Sequence, residues 1–107
     1  MRYEVVLSPG AVQSLRRLPA AVRATVRDAL ERHVRHEPWK VSRSRIKRLR
    51  GISRPQYRLR VGDVRVFYDV TETEVAVLAI VSKGEAQAWL AERGEGSEEG
   101  GPGGSQG

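Results

Sequence analysis

Two hydrophobic periods divide this chain: a helical one up to about residue 36 and an alternating one from about residue 46 onward. The opening run Tyr3-Glu4-Val5-Val6-Leu7 predicts a first strand. Ser8-Pro9 then predicts a helix start, because a serine oxygen can accept from the free N–H groups of a first turn and proline suits the first helical position. Ala11, Val12, Leu15 and Leu18 supply the apolar side of a helix reaching about Arg17. Pro19 ends it and opens a second helix, which runs to about His36 with Val22, Val26, Ala29, Leu30, His33 and Val34 at helical spacing. Two helices across so short a link form an antiparallel αα-hairpin, and Pro38 closes it.

After the period changes, Ile46–Arg50, Gln56–Val61, Val64–Val70 and Val75–Ser82 read as strands. Gly51–Pro55, Gly62-Asp63 and Thr71–Glu74 read as the turns between them, and turns this tight require antiparallel pairing. The last strand is apolar on both faces and belongs in a covered, central place. Gly84–Arg93 predicts a closing helix with Ala86, Trp89 and Leu90 on one side. The fold class that follows is α+β in two layers: strand, αα-hairpin, antiparallel β-meander, short C-terminal helix. The hairpin covers one face of the sheet, with Val26, Leu30, Leu59, Val66, Tyr68 and Val77 in the core, and the other face is left open. Residues 1–93 form one domain. The Gly- and Glu-rich stretch 94–107 has nothing to bury and is expected to be disordered.

Composition narrows the function. The 107 residues contain no cysteine, which excludes disulfide scaffolds, cysteine zinc sites and thiol chemistry. The longest apolar run, Val75 to Val81, is too short to cross a bilayer, and the N-terminus lacks the apolar stretch of a signal peptide. The expectation is a cytoplasmic protein without a membrane partner. The net charge is +6, and the bases cluster: ten of them, with Asp63 as the single acid, lie between Lys40 and Arg65. A solvated basic face is the plain reading of any single arginine. Ten bases in so short a segment point instead to a patch for a polyanion, of which nucleic acid is the commonest.

Strand alternation shows where the patch would act. Tyr57 and Leu59 point one way and Arg58 and Arg60 the other, while Arg65 and Phe67 oppose Val64, Val66 and Tyr68. The Gly62-Asp63 turn makes these strands neighbours. If Leu59 and Val66 face the helices, then Arg58, Arg60 and Arg65 converge on the open face, where forked guanidinium donors suit phosphate. Phe67 beside them would stack on bases. His33 and His36 lie three apart on a helix with no third ligand near in sequence, so they are read as helix-surface or core-edge groups and no metal site is expected. Trp39 and Trp89 are read as packing residues.

The run Leu49-Arg50-Gly51, followed by Tyr57-Arg58-Leu59-Arg60-Val61-Gly62-Asp63-Val64-Arg65-Val66-Phe67-Tyr68-Asp69-Val70, resembles the RelE/ParE toxins of bacterial type II toxin–antitoxin systems. Ser8-Pro9-Gly10-Ala11 through Leu18-Pro19 is similar to that family's first helix. The resemblance spans roughly residues 2–92 and is closer to RelE than to ParE. It implies a toxin that cuts messenger RNA on the ribosome without metal or cofactor, by attack of a ribose 2′-OH on the adjacent phosphate. It also implies a cognate antitoxin partner. By position it assigns Arg58, Arg60, Arg65 and Lys83 to the catalytic site; the basic run itself supplies Lys47, Arg48, Arg50 and Arg54, together with Phe67, as expected RNA contacts. RelE toxins carry lysines where this chain has Arg58 and Arg60, and their C-terminal tyrosine or histidine has no match in Gly84–Ala91. Arginine keeps its proton, so Arg58 is a clamp rather than a general base. Glu85 is a candidate base but suits a helix-capping role better. Two alternatives stay open: a ParE-like toxin that binds DNA gyrase, and a non-catalytic RNA- or ribosome-binding module.

Overall fold

The computed structural model describes residues 2–96. The chain runs through β1 (Glu4–Leu7), α1 (Pro9–Arg17), α2 (Ala20–Ala29), a π-helical turn (Leu30–Val34), β2 (Ile46–Arg48), β3 (Ile52–Arg54), β4 (Tyr57–Val61), β5 (Val64–Val70), β6 (Glu74–Ser82), a 3-10 turn (Lys83–Glu85), α3 (Ala86–Arg93) and β7 (Glu95–Gly96). Ser8 caps α1 as its sequence position predicts: its Oγ accepts from the Ala11 N–H at 3.1 Å, and it also donates to the Leu78 carbonyl at 3.0 Å. That second bond ties the helix start to the sheet.

The main sheet has five strands in the order β1-β6-β5-β4-β2. β2, β4, β5 and β6 form the expected antiparallel meander, but β1 joins β6 in parallel, with Val5 beside Val75 and Leu7 beside Val77. The sheet is therefore mixed. A parallel pair needs a long crossover, and the helix hairpin and meander between β1 and β6 supply it. The expected turn at Gly51–Pro55 contains β3, which pairs with β7 in a small two-stranded sheet, so Glu95 and Gly96 return alongside the basic segment. The expectation of disorder for the rest of the tail, 97–107, lies outside the described residues. The β4–β5 turn has Gly62 at φ +57, a conformation that glycine adopts freely and that suits the twist of a two-residue hairpin.

The predicted core holds. Val26, Leu30, Leu59, Val66, Tyr68 and Val77 are all buried between the helices and the sheet. The second helix departs from the expected form. It widens after Ala29 into a π-helical turn, with the Arg35 N–H donating to the Leu30 carbonyl at 3.0 Å, and both Leu30 and Val34 are buried there. The opposite face of the sheet is not fully open. Ala86, Trp89 and Leu90 of α3 pack on Phe67, Ala79, Leu49 and Val81 in a second, smaller core. Among the described residues no helix is long and apolar enough to cross a membrane.

Tyr68 joins the first core to the chain that follows the helices. Its hydroxyl donates to the Pro38 carbonyl at 2.6 Å, and its ring stacks on Tyr57 at 5.5 Å between centroids. Burial, and then the neighbouring Tyr57, push its phenol pKa upward, so it remains a donor at all ordinary pH. Tyr68→Phe leaves that buried carbonyl without its partner and should cost about 1–3 kcal/mol in urea unfolding. A variant as stable as the parent would show that the bond contributes nothing net.

Candidate functional site

Register places the arginines. Arg58 and Arg60 alternate with the partly buried Tyr57 and the buried Leu59 and Val61 of β4, and so face away from the helix hairpin. Arg60 lies directly opposite Arg65, Arg58 lies opposite Phe67, and Lys47 of β2 lies opposite Arg58 on the other side. Arg58, Arg60, Arg65 and Lys47 therefore share one face. Among the described residues no carboxylate forms an ion pair with any of them; the salt bridges there use Arg32, Arg35, Lys40 and Arg54.

The four groups differ in their surroundings. Arg60 and Lys47 are exposed. Arg58 is half-buried, and its Nε is buried without a hydrogen-bond partner. A buried charged donor left unpaired is costly. Arg65 is only 8% exposed, and its Nη1 donates to the carbonyls of Gly62 at 2.8 Å and Val64 at 3.1 Å. Burial, then the nearby Arg58 and Arg60, lower its pKa from the usual arginine range, and Asp63 opposes them. Arg65 thus braces the hairpin from below the arginine face, with part of its fork already engaged.

Lys83 comes to the same end of the sheet. Its backbone N–H donates to the Asp63 carbonyl at 2.7 Å, and Ser82 pairs with Val64. Glu85 completes a capping box with Ser82, whose N–H it accepts at 3.4 Å while the Ser82 Oγ accepts the Glu85 N–H at 3.2 Å. The capping role expected of Glu85 is the one it has.

The residues expected to contact RNA do not all lie on the arginine face, and Phe67 is not the exposed stacking ring expected of it. Phe67 has no exposed surface: its ring stacks on Trp89 at 5.1 Å between centroids and 8° between planes, so it has no face for a base. Strand alternation put Phe67 on the arginine side correctly, but α3 covers that half of the face. Arg48 pairs in register with Tyr57 and lies over its ring at 5.2 Å, on the other side of the sheet from Arg58. Arg54 belongs to β3, outside the main sheet, and pairs with Asp69 at 3.3 Å. Arg50 is exposed in the turn after β2. Trp89 packs as expected, whereas Trp39 is 49% exposed and only its indole N–H is engaged, donating to the Tyr3 hydroxyl at 3.3 Å.

The sequence reading named no site role for Arg43 and Arg45. Both line a groove of about 160 Å³ together with Lys47, Arg58 and Arg60. Their signal was the charge run itself, which strand alternation could not convert into positions because they precede the strand.

Comparison with known proteins fits this geometry. No curated protein matches the chain. Among solved structures, the chain is similar to the toxin–antitoxin complex RelBE2 of Mycobacterium tuberculosis at 25% identity and TM-score 0.63, covering 77% of this chain and 99% of that one. It is similar to the archaeal RelE–RelB complex of Pyrococcus horikoshii at 30% identity and TM-score 0.60, covering 78% and 98%. A double mutant of the E. coli toxin RelE in the free state, at 22% identity and TM-score 0.60, shares the fold over 87% of this chain and 98% of that one. The family model of the ParE toxin of the type II toxin–antitoxin system parDE matches residues 5–87. With most of its length inside that match, the chain belongs to the RelE/ParE superfamily of type II toxins.

Proposed function

We propose that this toxin acts on messenger RNA at the ribosome, gripping the scissile phosphate on the Arg58–Arg60–Arg65 face, and that a cognate antitoxin holds it silent. The observation that carries the reading is the unpaired Arg58 Nε beside two further guanidinium groups on one face, none of them ion-paired to a carboxylate among the described residues. In the reaction the 2′-OH gives its proton to solvent as its oxygen bonds to phosphorus, the 5′-oxygen leaves and takes a proton from solvent, and negative charge builds on the phosphoryl oxygens between those two events. Preorganised cationic donors are what that charge requires. Glu85, held in its capping box, is not free to act as base, so the contribution of this chain is grip, orientation and charge neutralisation. Two of the solved toxins resembling it, from Mycobacterium tuberculosis and Pyrococcus horikoshii, are in toxin–antitoxin complexes, which supports the antitoxin.

A second reading, gyrase binding, draws on the ParE family match and on the partial engagement of Arg65 by backbone carbonyls. One experiment separates the two. The chain is induced without its antitoxin while message 5′ ends are mapped and plasmid supercoiling is followed. Cuts inside translated frames that vanish when ribosomes are withheld support the messenger reading. Intact messages with altered supercoiling overturn it.

A further inference from the structure

Beyond the arginine face lies a second basic cleft of about 220 Å³, between the end of the helical segment and the start of β2. Arg45, Ser42 and Ile46 line both this cleft and the groove that holds Arg58 and Arg60, so the two are continuous around the outer edge of β2. The connecting loop is built rather than loose. Ser42 Oγ accepts the N–H groups of Arg45 and Ile46, each at 3.1 Å, and the Arg45 carbonyl accepts from the Arg60 N–H at 2.9 Å.

At the centre of the cleft Arg45 Nη1 lies 2.8 Å from His33 Nε2. A guanidinium can only donate, so His33 must present a bare lone pair there and carry its proton on Nδ1. Arg32 and Lys40, which also line the cleft, are paired with Asp28 at 3.0 Å and Glu37 at 3.6 Å. Among the described residues Arg45 has no carboxylate partner; a neutral imidazole occupies the place of one.

We propose that an RNA strand gripped at Arg58 and Arg60 continues around β2 into this cleft, where Arg45 takes a second backbone phosphate and His33 gains a proton as it binds. The proposal rests on the messenger-RNA reading and extends it. A phosphate drawn onto Arg45 pulls that donor off His33 Nε2, and the freed lone pair then lies beside an anion. An anion there favours imidazolium, which in turn donates to the phosphate. The groups facing His33 are Arg32 and Asp28 of α2 and its π-helical extension, Glu37 and Lys40 of the loop that follows, and Arg45 before β2. In the free protein, burial, then Arg45 and Arg32, lower the His33 pKa, with Asp28 opposing, so the ring starts neutral at pH 7.5. Binding takes up a proton, so affinity should rise as pH falls through the imidazole range.

The test uses the full chain and labelled single-stranded RNA of about twelve and about four nucleotides, followed by fluorescence anisotropy across salt. Arg45→Gln should weaken the longer RNA about tenfold, the worth of one charge-assisted bond. It should also lower the slope of log affinity against log salt by about 0.7. The shorter RNA, which fills the Arg58–Arg60 groove that Arg45 also borders, should lose clearly less than the longer one. His33→Gln should match the parent at about pH 7.5 and lose its strengthening at about pH 6. Equal loss on both lengths, no loss on either, or a pH response that survives in His33→Gln would overturn the track. If neither RNA binds the parent, or Arg58→Ala changes neither, the messenger-RNA reading fails first and takes the track with it.

Discussion

Arg58→Ala should lower ribosome-dependent message cleavage about 10²–10³-fold, the usual loss when one preorganised donor is removed from a transition state. The protein should remain as stable as the parent or become more so. Both expectations have one cause. The Arg58 Nε is buried and unpaired, so folding bears its desolvation with no bond in return. A donor kept at that cost is consistent with a role in binding an anion rather than in the fold. Single-turnover cleavage on programmed ribosomes measures the first effect, and thermal unfolding measures the second. Arg58→Lys keeps the charge but loses the fork, and should restore only part of the rate. Arg65→Ala is a poorer probe than the sequence pattern implied. Its guanidinium also braces the Gly62 and Val64 carbonyls, so activity and hairpin stability should fall together. Full cleavage by a folded Arg58→Ala would remove Arg58 from the grip.

Much of this was legible in the residues. Ser8-Pro9 announced the first helix and its cap, Gly62-Asp63 the hairpin, and the change of period near residue 45 the boundary between helices and meander. Alternation along Tyr57–Arg60 and Val64–Tyr68 assigned every arginine on those strands to its correct face. It could not say what covers a face. β5 is buried on both sides from Val64 through Tyr68, because the helix hairpin takes one side and α3 the other. Ala86, Trp89 and Leu90 were the available clue, an apolar stripe with no partner yet named. Parallel pairing of β1 was hidden for a similar reason: Val5 and Leu7 mark an apolar face but not the neighbour it joins. The charge run alone could not show that pleating sends Lys47 and Arg48 to opposite sides.

Phe67→Ala tests the covered half of the face and should cost about 3–5 kcal/mol in stability, the range for emptying a fully buried aromatic site. Ala79 and Arg58 lie beside the ring on the two neighbouring strands, and Ala86 and Trp89 of α3 pack with it. Two alanine side chains are too small to fill the space, and Phe67 is the largest fully buried side chain under α3, a helix of eight residues. For a domain whose whole stability is about 5–15 kcal/mol, that loss is a large fraction. Trp89→Ala should also destabilise, and the two changes together should cost less than their sum, with a coupling of about 0.5–3 kcal/mol, because each removes the partner of the other. The consequence reaches the site. β4 and β5 carry Arg58 and Arg65, and α3 is the element that clamps β5 from the arginine side. Loosening α3 should therefore lower cleavage in proportion to the unfolded or displaced fraction, and cooling should restore it. A base-stacking Phe67 would behave the other way, with stability intact and RNA affinity lost at every temperature, and urea unfolding read beside anisotropy on the same variant distinguishes the two.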